Sequence, residues 1–305
     1  MQIIKHKGFF KIKTKDYIIS LDCDTHDSDF NFLSHSHMDH LFKTNKKVIT
    51  SDETFELAKL RGFKYNRLDN IPSNISLLNS GHMIGSKSLF LTENNESALF
   101  TGDFSTNSRA FMKGLKVKEC SSLIIESTFG KPEFIFPDSK KEVKLAKEFI
   151  EDNIKKNYLT VLMGYPLGKM QEIMHYFKDY SSILHPEIAK YEKTLNGFGL
   201  CNGNNCKLNP DLLFSPSLNS KNEYFNKFKK TRGLKFAVFS GWNLNPYYKR
   251  RFGADEGFTL SDHADFKELL STVKKSKAEN VYVHHGYSKE FSKFLRIEGV
   301  NAIDL

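Results

Sequence analysis

Ser34-His35-Ser36-His37-Met38-Asp39-His40 follows directly on the apolar run Phe30-Asn31-Phe32-Leu33. In an extended segment alternate side chains share a face, so His35, His37 and Asp39 can point one way together. His40 needs a turn to join them. Neutral imidazoles suit zinc and its neighbours, and a carboxylate beside them suggests a second metal or a position left open for water. A surface loop that happens to be His-rich is the plainer reading, but four ligand-type side chains within six residues weigh against it.

Outward from this stretch, 305 residues leave room for one large domain or two modest ones. A hydrophobic content of 39% and a charged content of 27% describe an ordinary soluble protein. No apolar run approaches the roughly 20 residues of a membrane helix, and the start of the chain lacks the apolar region of a signal peptide. The expectation is a cytoplasmic protein with no membrane partner. A formal charge of +9 fits a polyanionic partner such as nucleic acid. Four cysteines do not make a disulfide framework in a chain of this length. Cys201 and Cys206 lack zinc spacing and read as free thiols in a turn.

Short apolar or alternating runs broken by polar turns cover residues 9–127, for example at 17–21, 47–50, 75–78, 88–91 and 98–101, with a helix near 53–61. They predict strands in one or two packed sheets. After Pro137 the pattern changes. Ser139-Lys140-Lys141-Glu142 reads as a capping box opening a helix whose lysines form a solvated face. A strand at 158–165, a helix at 167–178, a strand at 182–184, a helix at 187–195 and a strand at 235–240 then imply a small parallel sheet. Short strands return from 258, around a helix at 267–276. The predicted organisation is one strand-rich domain formed by residues 1–136 and 246–305, interrupted by an α/β unit at 137–245.

Several other runs end as the first one does. Residues 75–78 lead to Gly81-His82, 98–101 to Gly102-Asp103, 123–125 to Glu126, 258–260 to Ser261-Asp262-His263, and 281–283 to His284-His285-Gly286. A single His or Asp after a strand is usually a turn or cap residue. Several such ends beside a four-ligand cluster point instead to groups converging at one edge of a rigid scaffold.

These motifs resemble the metallo-β-lactamase superfamily and, within it, the β-CASP nucleases. His35-x-His37-x-Asp39-His40 is similar to the second motif, His82 to the third and Asp103 to the fourth. Asp22 in Leu21-Asp22-Cys23 resembles the first-motif aspartate that orients the ligand loop, with Asp24 as a possible substitute. Glu126-Ser127-Thr128-Phe129-Gly130 resembles motif A, Ser261-Asp262-His263-Ala264-Asp265 motif B, and His285-Gly286 motif C. The closest pattern is the compact group of ligase-associated exonucleases and archaeal proteins described as mRNA 3′-end processing factors.

The resemblance implies an α+β fold, an αββα sandwich carrying an inserted β-CASP domain. It also implies two zinc ions, for which manganese could substitute. His35, His37 and His82 would hold one, Asp39, His40 and His285 the other, and Asp103 would bridge them. Bound metal lowers the pKa of water from about 15.7 to roughly 7, which makes a nucleophile for phosphorus available near neutral pH. Asp39 is thereby counted with the catalytic set. His263 is the candidate general acid, Glu126 would orient it and Asp265 could assist.

Phosphate contacts are expected from Lys169, at a helix start after Gly168, and from Ser127 and Thr128. The run Tyr247-Tyr248-Lys249-Arg250-Arg251 combines stacking surface with cations, a composition suited to single-stranded nucleic acid. Gly168-Lys169 lacks the complete P-loop spacing, which argues against a nucleotide cofactor.

The leading reading is a zinc-dependent nuclease, RNA slightly preferred over DNA. The ligase-associated DNA exonucleases also carry His-Gly at motif C, so His285 does not separate the two. A small-molecule hydrolase of the same fold would need neither a basic balance nor motifs A to C. A nucleic-acid-binding module with an inactive metal site would leave ligand positions empty, and here all are filled.

Overall fold

The structure, a computed structural model, describes residues 1–6, 8–199 and 209–304. Cys201 and Cys206 lie outside the described residues. In chain order, β1 (Gln2–His6), β2 (Phe9–Lys13), β3 (Ile18–Leu21), β4 (Phe30–Phe32) and β5 (Lys47–Ile49) precede α1 (Asp52–Leu60). Next come β6 (Asn66–Arg67), β7 (Ile75–Asn79), β8 (Lys87–Glu93), β9 (Glu96–Phe100) and β10 (Ser122–Glu126). The chain then alternates helix with strand through α2 (Ser139–Lys155), β11 (Leu159–Gly164), α3 (Lys169–Tyr176), β12 (Ser182–Leu184), α4 (Pro186–Gly197) and β13 (Leu212–Pro216). After α5 (Asn226–Lys229), β14 (Leu234–Phe239) and β15 (Glu256–Phe258), it ends with α6 (Phe266–Ser276), β16 (Asn280–His284), α7 (Ser288–Ile297) and β17 (Ala302–Asp304).

Two compact units divide these elements. One comprises Met1–Ile135 with His263–Leu305, the other Phe136–Asp262. The first holds two mixed sheets, of strand order β1-β2-β3-β4-β5-β6 and β17-β16-β10-β9-β8-β7. Alternating side chains assign each strand's two faces. Ile19 and Leu21 of β3, Phe30 and Phe32 of β4, and Ala98 and Phe100 of β9 fill the space between the sheets, together with Ile124 of β10. Phe32 meets Phe100 edge to face there, with ring centroids 6.0 Å apart. Neighbours of the opposite parity turn outward. Leu99, Leu123, Ile125, Val281 and Val283 pack against Phe266, Leu269 and Val273 of α6 and Phe291 and Leu295 of α7. Leu33 and Val48 pack against Ala58 of α1 on the far side of the other sheet. Each large side chain so buried contributes roughly 1.5–3 kcal/mol. Helix, sheet, sheet and helix therefore stack in four layers, an α+β arrangement.

The second unit is a parallel sheet of order β12-β13-β11-β14-β15. Leu162, Phe214, Ala237, Phe239 and Phe258 meet α2 and α3 on one face. The insertion anticipated at 137–245 extends to Asp262, because β15 pairs with β14 and completes this sheet. The α2 cap also differs from the expected capping box. Asp138 accepts from the Lys141 N–H at 3.0 Å, while Glu142 accepts from the Thr259 N–H at 2.7 Å. Among the described residues, no helix is long and apolar enough to cross a membrane.

Candidate metal centre

The metal ligands expected in the first unit converge where its strands end. β4 leads into the His35–His40 loop, β9 into Asp103, β10 into Glu126 and β16 into His285. Imidazole or carboxylate atoms of His35, His37, His82 and Asp103 lie within 4.8 Å of one another, as do those of Asp39, His40 and His285. In the first group His37 Nδ1 is 3.1 Å from His82 Nε2, and Asp103 Oδ2 lies 3.5 Å from His35 Nε2 and 3.7 Å from His82 Nε2. Two ligand atoms on one tetrahedral zinc are about 3.4 Å apart. Toward the second group, Asp103 Oδ2 lies 3.3 Å from His40 Nε2, and Asp103 Oδ1 is 3.7 Å from His285 Nδ1. Asp39 Oδ2 is 3.8 Å from His40 Nε2.

His35 Nε2, His40 Nε2, Asp103 Oδ1 and His285 Nδ1 are buried without a hydrogen-bond partner among the described residues. Orphaned polar atoms at the core of a cluster are costly unless something coordinates them. The donor set, imidazole nitrogen with carboxylate oxygen, suits zinc or manganese. The residues therefore fit bound divalent metal.

Neighbouring groups orient these donors. Asp22 accepts from the Ser34 N–H and Ser34 hydroxyl, each at 2.6 Å, and from His40 Nδ1 at 2.8 Å. Ser34 Oγ donates to Asp22 and so can accept from His35 Nδ1, 2.9 Å away. One carboxylate thereby sets the tautomer of two imidazoles and leaves both Nε2 lone pairs facing the cluster. Burial opposes protonation of His40, but Asp103 and then Asp22 outweigh it and raise its pKa well above the ordinary value. An incoming cation would displace that proton. Burial, followed by the charge of His40, pushes His35 well below the ordinary value. Burial also works against the Asp103 carboxylate, but His40 first and then His263 hold it well below the usual range.

Strain marks two of these positions. Asp22 has φ 50° and His285 φ 61°, a left-handed conformation that few side chains adopt. The His284 and His285 rings stay stacked, with centroids 5.5 Å apart. His284 packs its ring on Phe100 and against the edge of Phe10, with centroids 5.5 and 6.0 Å away, while His285 turns toward Asp103. At Gly286, φ is 59° and any Cβ would lie 2.4 Å from the Thr128 Cα, so the Glu126–Thr128 loop passes directly over it. Ser127 fastens that crossing by donating to the carbonyls of His284 and His285 at 3.0 and 2.6 Å.

Glu126 is 0% exposed and holds His263 through Nδ1, at 3.0 and 3.1 Å from its two oxygens. The same carboxylate accepts from the backbone N–H groups of Phe104 and Thr128 at 2.9 and 3.2 Å. His263 is thus fixed from one side, with its ring 4.5 Å from that of His82. Asp265, expected to assist His263, stands at the N-terminus of α6. Its side chain caps α6 by accepting from the Glu268 N–H at 2.8 Å.

Three residues expected to touch nucleic acid are otherwise engaged. Ser127 is buried in the crossing described above. Lys169 is 3% exposed, because its ammonium is held by Glu172 at 2.7 Å with Asp262 at 3.9 Å. Lys249 reaches the Asp255 carbonyl at 2.7 Å and Glu256 at 3.0 Å. Arg250 and Arg251 are exposed on the second unit, and Thr128 is half-buried in the first.

The sequence reading missed two supports. Arg109 is buried and donates through Nη2 to the carbonyls of Gly81 and His82, at 2.6 and 3.2 Å, which anchors the His82 loop. Glu268 accepts from the Thr106 N–H and hydroxyl at 2.8 and 2.7 Å, which ties the loop after Asp103 to α6. An isolated arginine in a loop carries no signal. Asp265-Phe266-Lys267-Glu268 is a legible capping box.

No family model matches the chain. It is similar to a curated protein named Probable DNA ligase from Opitutus terrae, 26% identical over 291 residues, or 89% of this chain and 28% of that protein. It is likewise similar to an RNase J-like protein from Methanocaldococcus jannaschii, 26% identical over 184 residues, or 50% of this chain and 44% of that one. The chain thus spans less than half the length of these two relatives. A third relative, from Acidianus ambivalens, is named Uncharacterized protein in lig 3′ region and is 30% identical over 101 residues, or 33% of this chain and 68% of that protein. The chain belongs to one family with this Acidianus protein, whose name states no activity.

Proposed function

We propose that the chain is a two-zinc phosphodiesterase that hydrolyses single-stranded nucleic acid. The observation that carries this reading is the convergence, in one unit, of a His35–His37–His82–Asp103 group and an Asp39–His40–His285 group, with Asp103 Oδ2 3.3 Å from His40 Nε2 and His263 held beside them by Glu126. His35, His37 and His82 would hold one ion, Asp39, His40 and His285 the other, and Asp103 both. Bound ions supply Lewis acidity and bring the pKa of water near 7. Asp22 and Ser34 keep the imidazole lone pairs aimed inward. His263, with Nδ1 committed to Glu126, would donate a proton from Nε2 to the leaving oxygen, a role worth typically 10²–10⁴-fold in rate. The Glu126 carboxylate stabilises the imidazolium that gives up this proton.

DNA is the first substrate of this reading, because the relative matching 89% of the chain is named a probable DNA ligase. RNA is the second, favoured by the RNase J-like name of another relative. Incubation with end-labelled single-stranded DNA and RNA in Zn²⁺ or Mn²⁺ separates them. Shortening or internal cutting of DNA with RNA left intact is the expected result. The reverse establishes the second reading, and both substrates intact while a β-lactam is turned over would replace the nuclease by a small-molecule hydrolase.

A further inference from the structure

The order β12-β13-β11-β14-β15 puts a topological switch between β11 and β14, since the chain leaves β11 toward one edge of the sheet and returns to the other. In open parallel sheets, ligands bind outside the carboxyl ends of the strands at such a point. β11 and β14 are parallel neighbours in register Met163↔Val238, so the residues that follow them emerge at the same end. These are Tyr165, directly after β11, and Trp242, in the tight turn Gly241–Leu244 after β14. Both rings are open to solvent, at 44% and 37% exposure. The Trp242 N–H donates to Ser240 Oγ at 3.2 Å, which orders its turn.

The next turn, Tyr248–Phe252, packs against that of Trp242 and brings cations to it. Tyr247 is 64% exposed, and the Arg250 guanidinium lies 4.6 Å from its ring centroid. Arg251 is exposed beside it. Large aromatic rings at a sheet's ligand edge, flanked by arginines that cannot lose their charge, match a ligand with flat faces and a regular negative charge. An apolar protein surface would gain nothing from the arginines.

We propose that Trp242 and Tyr165 form a platform on which unpaired bases of single-stranded nucleic acid stack, with Arg250 and Arg251 meeting its phosphates. This rests on the reading of the substrate as nucleic acid. It names the part of the second unit that recognises unpaired bases.

Trp242 is the single tryptophan of the chain, so its emission reports on the platform directly. The test is titration of the metal-loaded full chain with a phosphorothioate-linked oligothymidylate, an abasic strand of equal length, and a duplex, following tryptophan emission and strand anisotropy together. The oligothymidylate should quench emission as it binds, whereas the abasic strand and the duplex should bind more weakly and leave emission unchanged. Stacking per base predicts a loss of affinity of roughly 5- to 150-fold in Trp242→Ala, largely restored in Trp242→Phe, with metal content unaltered. Anisotropy showing the oligothymidylate bound with emission unchanged overturns the platform and leaves the nuclease reading standing. Equal affinity for strand and duplex, or wild-type affinity in Trp242→Ala, does the same. If no strand binds or is cut, both readings fall.

Discussion

Asp22→Asn isolates one charge while keeping shape and backbone, since asparagine tolerates φ near 50° as aspartate does. The carboxylate is buried and accepts three hydrogen bonds of 2.6, 2.6 and 2.8 Å. The amide oxygen can still take the Ser34 N–H. Its NH₂ group would then face His40 Nδ1 and the Ser34 hydroxyl, where only acceptors have served. A donor there reverses the order of protons, because His40 must accept at Nδ1 and carry its hydrogen on Nε2, where a metal should bind. Ser34 Oγ turns toward His35 for the same reason, so one substitution misdirects a ligand in each group. Loss of such an orienting partner costs about 10- to 100-fold in metal affinity, equivalent to roughly 1.4–2.7 kcal/mol. Competition with a zinc-chelating dye on the stripped protein reads this directly. Ser34→Ala, which cuts only the link to His35, should lose less. Unchanged zinc affinity in Asp22→Asn would refute the tautomer argument.

Two further outcomes follow from buried groups. Arg109→Met leaves the Gly81 and His82 carbonyls without their donor, at about 1–3 kcal/mol each. Thermal unfolding should come roughly 4–12 °C earlier, with weakened zinc binding through His82; a melting temperature within a degree of wild type would deny Arg109 this role. Burial pushes the thiols of Cys23 and Cys120 from 9.0 up to about 12. In the unfolded chain they ionise above pH 9, so the unfolded state then binds fewer protons and stability falls as pH rises. The slope is about 1.4 kcal/mol per pH unit for each thiol up to pH 12. Urea unfolding at pH 8 and pH 10 should show this loss, and Cys120→Ala should remove about half of it; equal stability of wild type at the two pH values contradicts it.

Local chemistry was legible in the sequence, and tertiary burial was not. His35, His37, Asp39 and His40 announce themselves because their spacing needs no knowledge of the fold. His82, Asp103 and His285 stand out by their place after apolar runs, and the structure gathers them at strand ends beside that cluster. Lys169 was misread for the opposite reason. A lysine at a helix start looks ready for phosphate until packing brings Glu172 onto its ammonium and removes both from water. Ser127 follows the same logic, because its hydroxyl is used by a strand more than a hundred positions away. The second unit ran past its expected end because Glu256-Gly257-Phe258 is too short and too interrupted to read as a strand without β14 beside it.

His263 alone among the candidates would move a proton without holding a metal. The measurement that tests it most directly is single-turnover cleavage of end-labelled single-stranded DNA by His263→Ala, with bound metal counted on the same sample. Two ions per chain and a rate reduced by about 10²–10⁴ are expected. Cleavage at the wild-type rate with both ions bound would contradict that role.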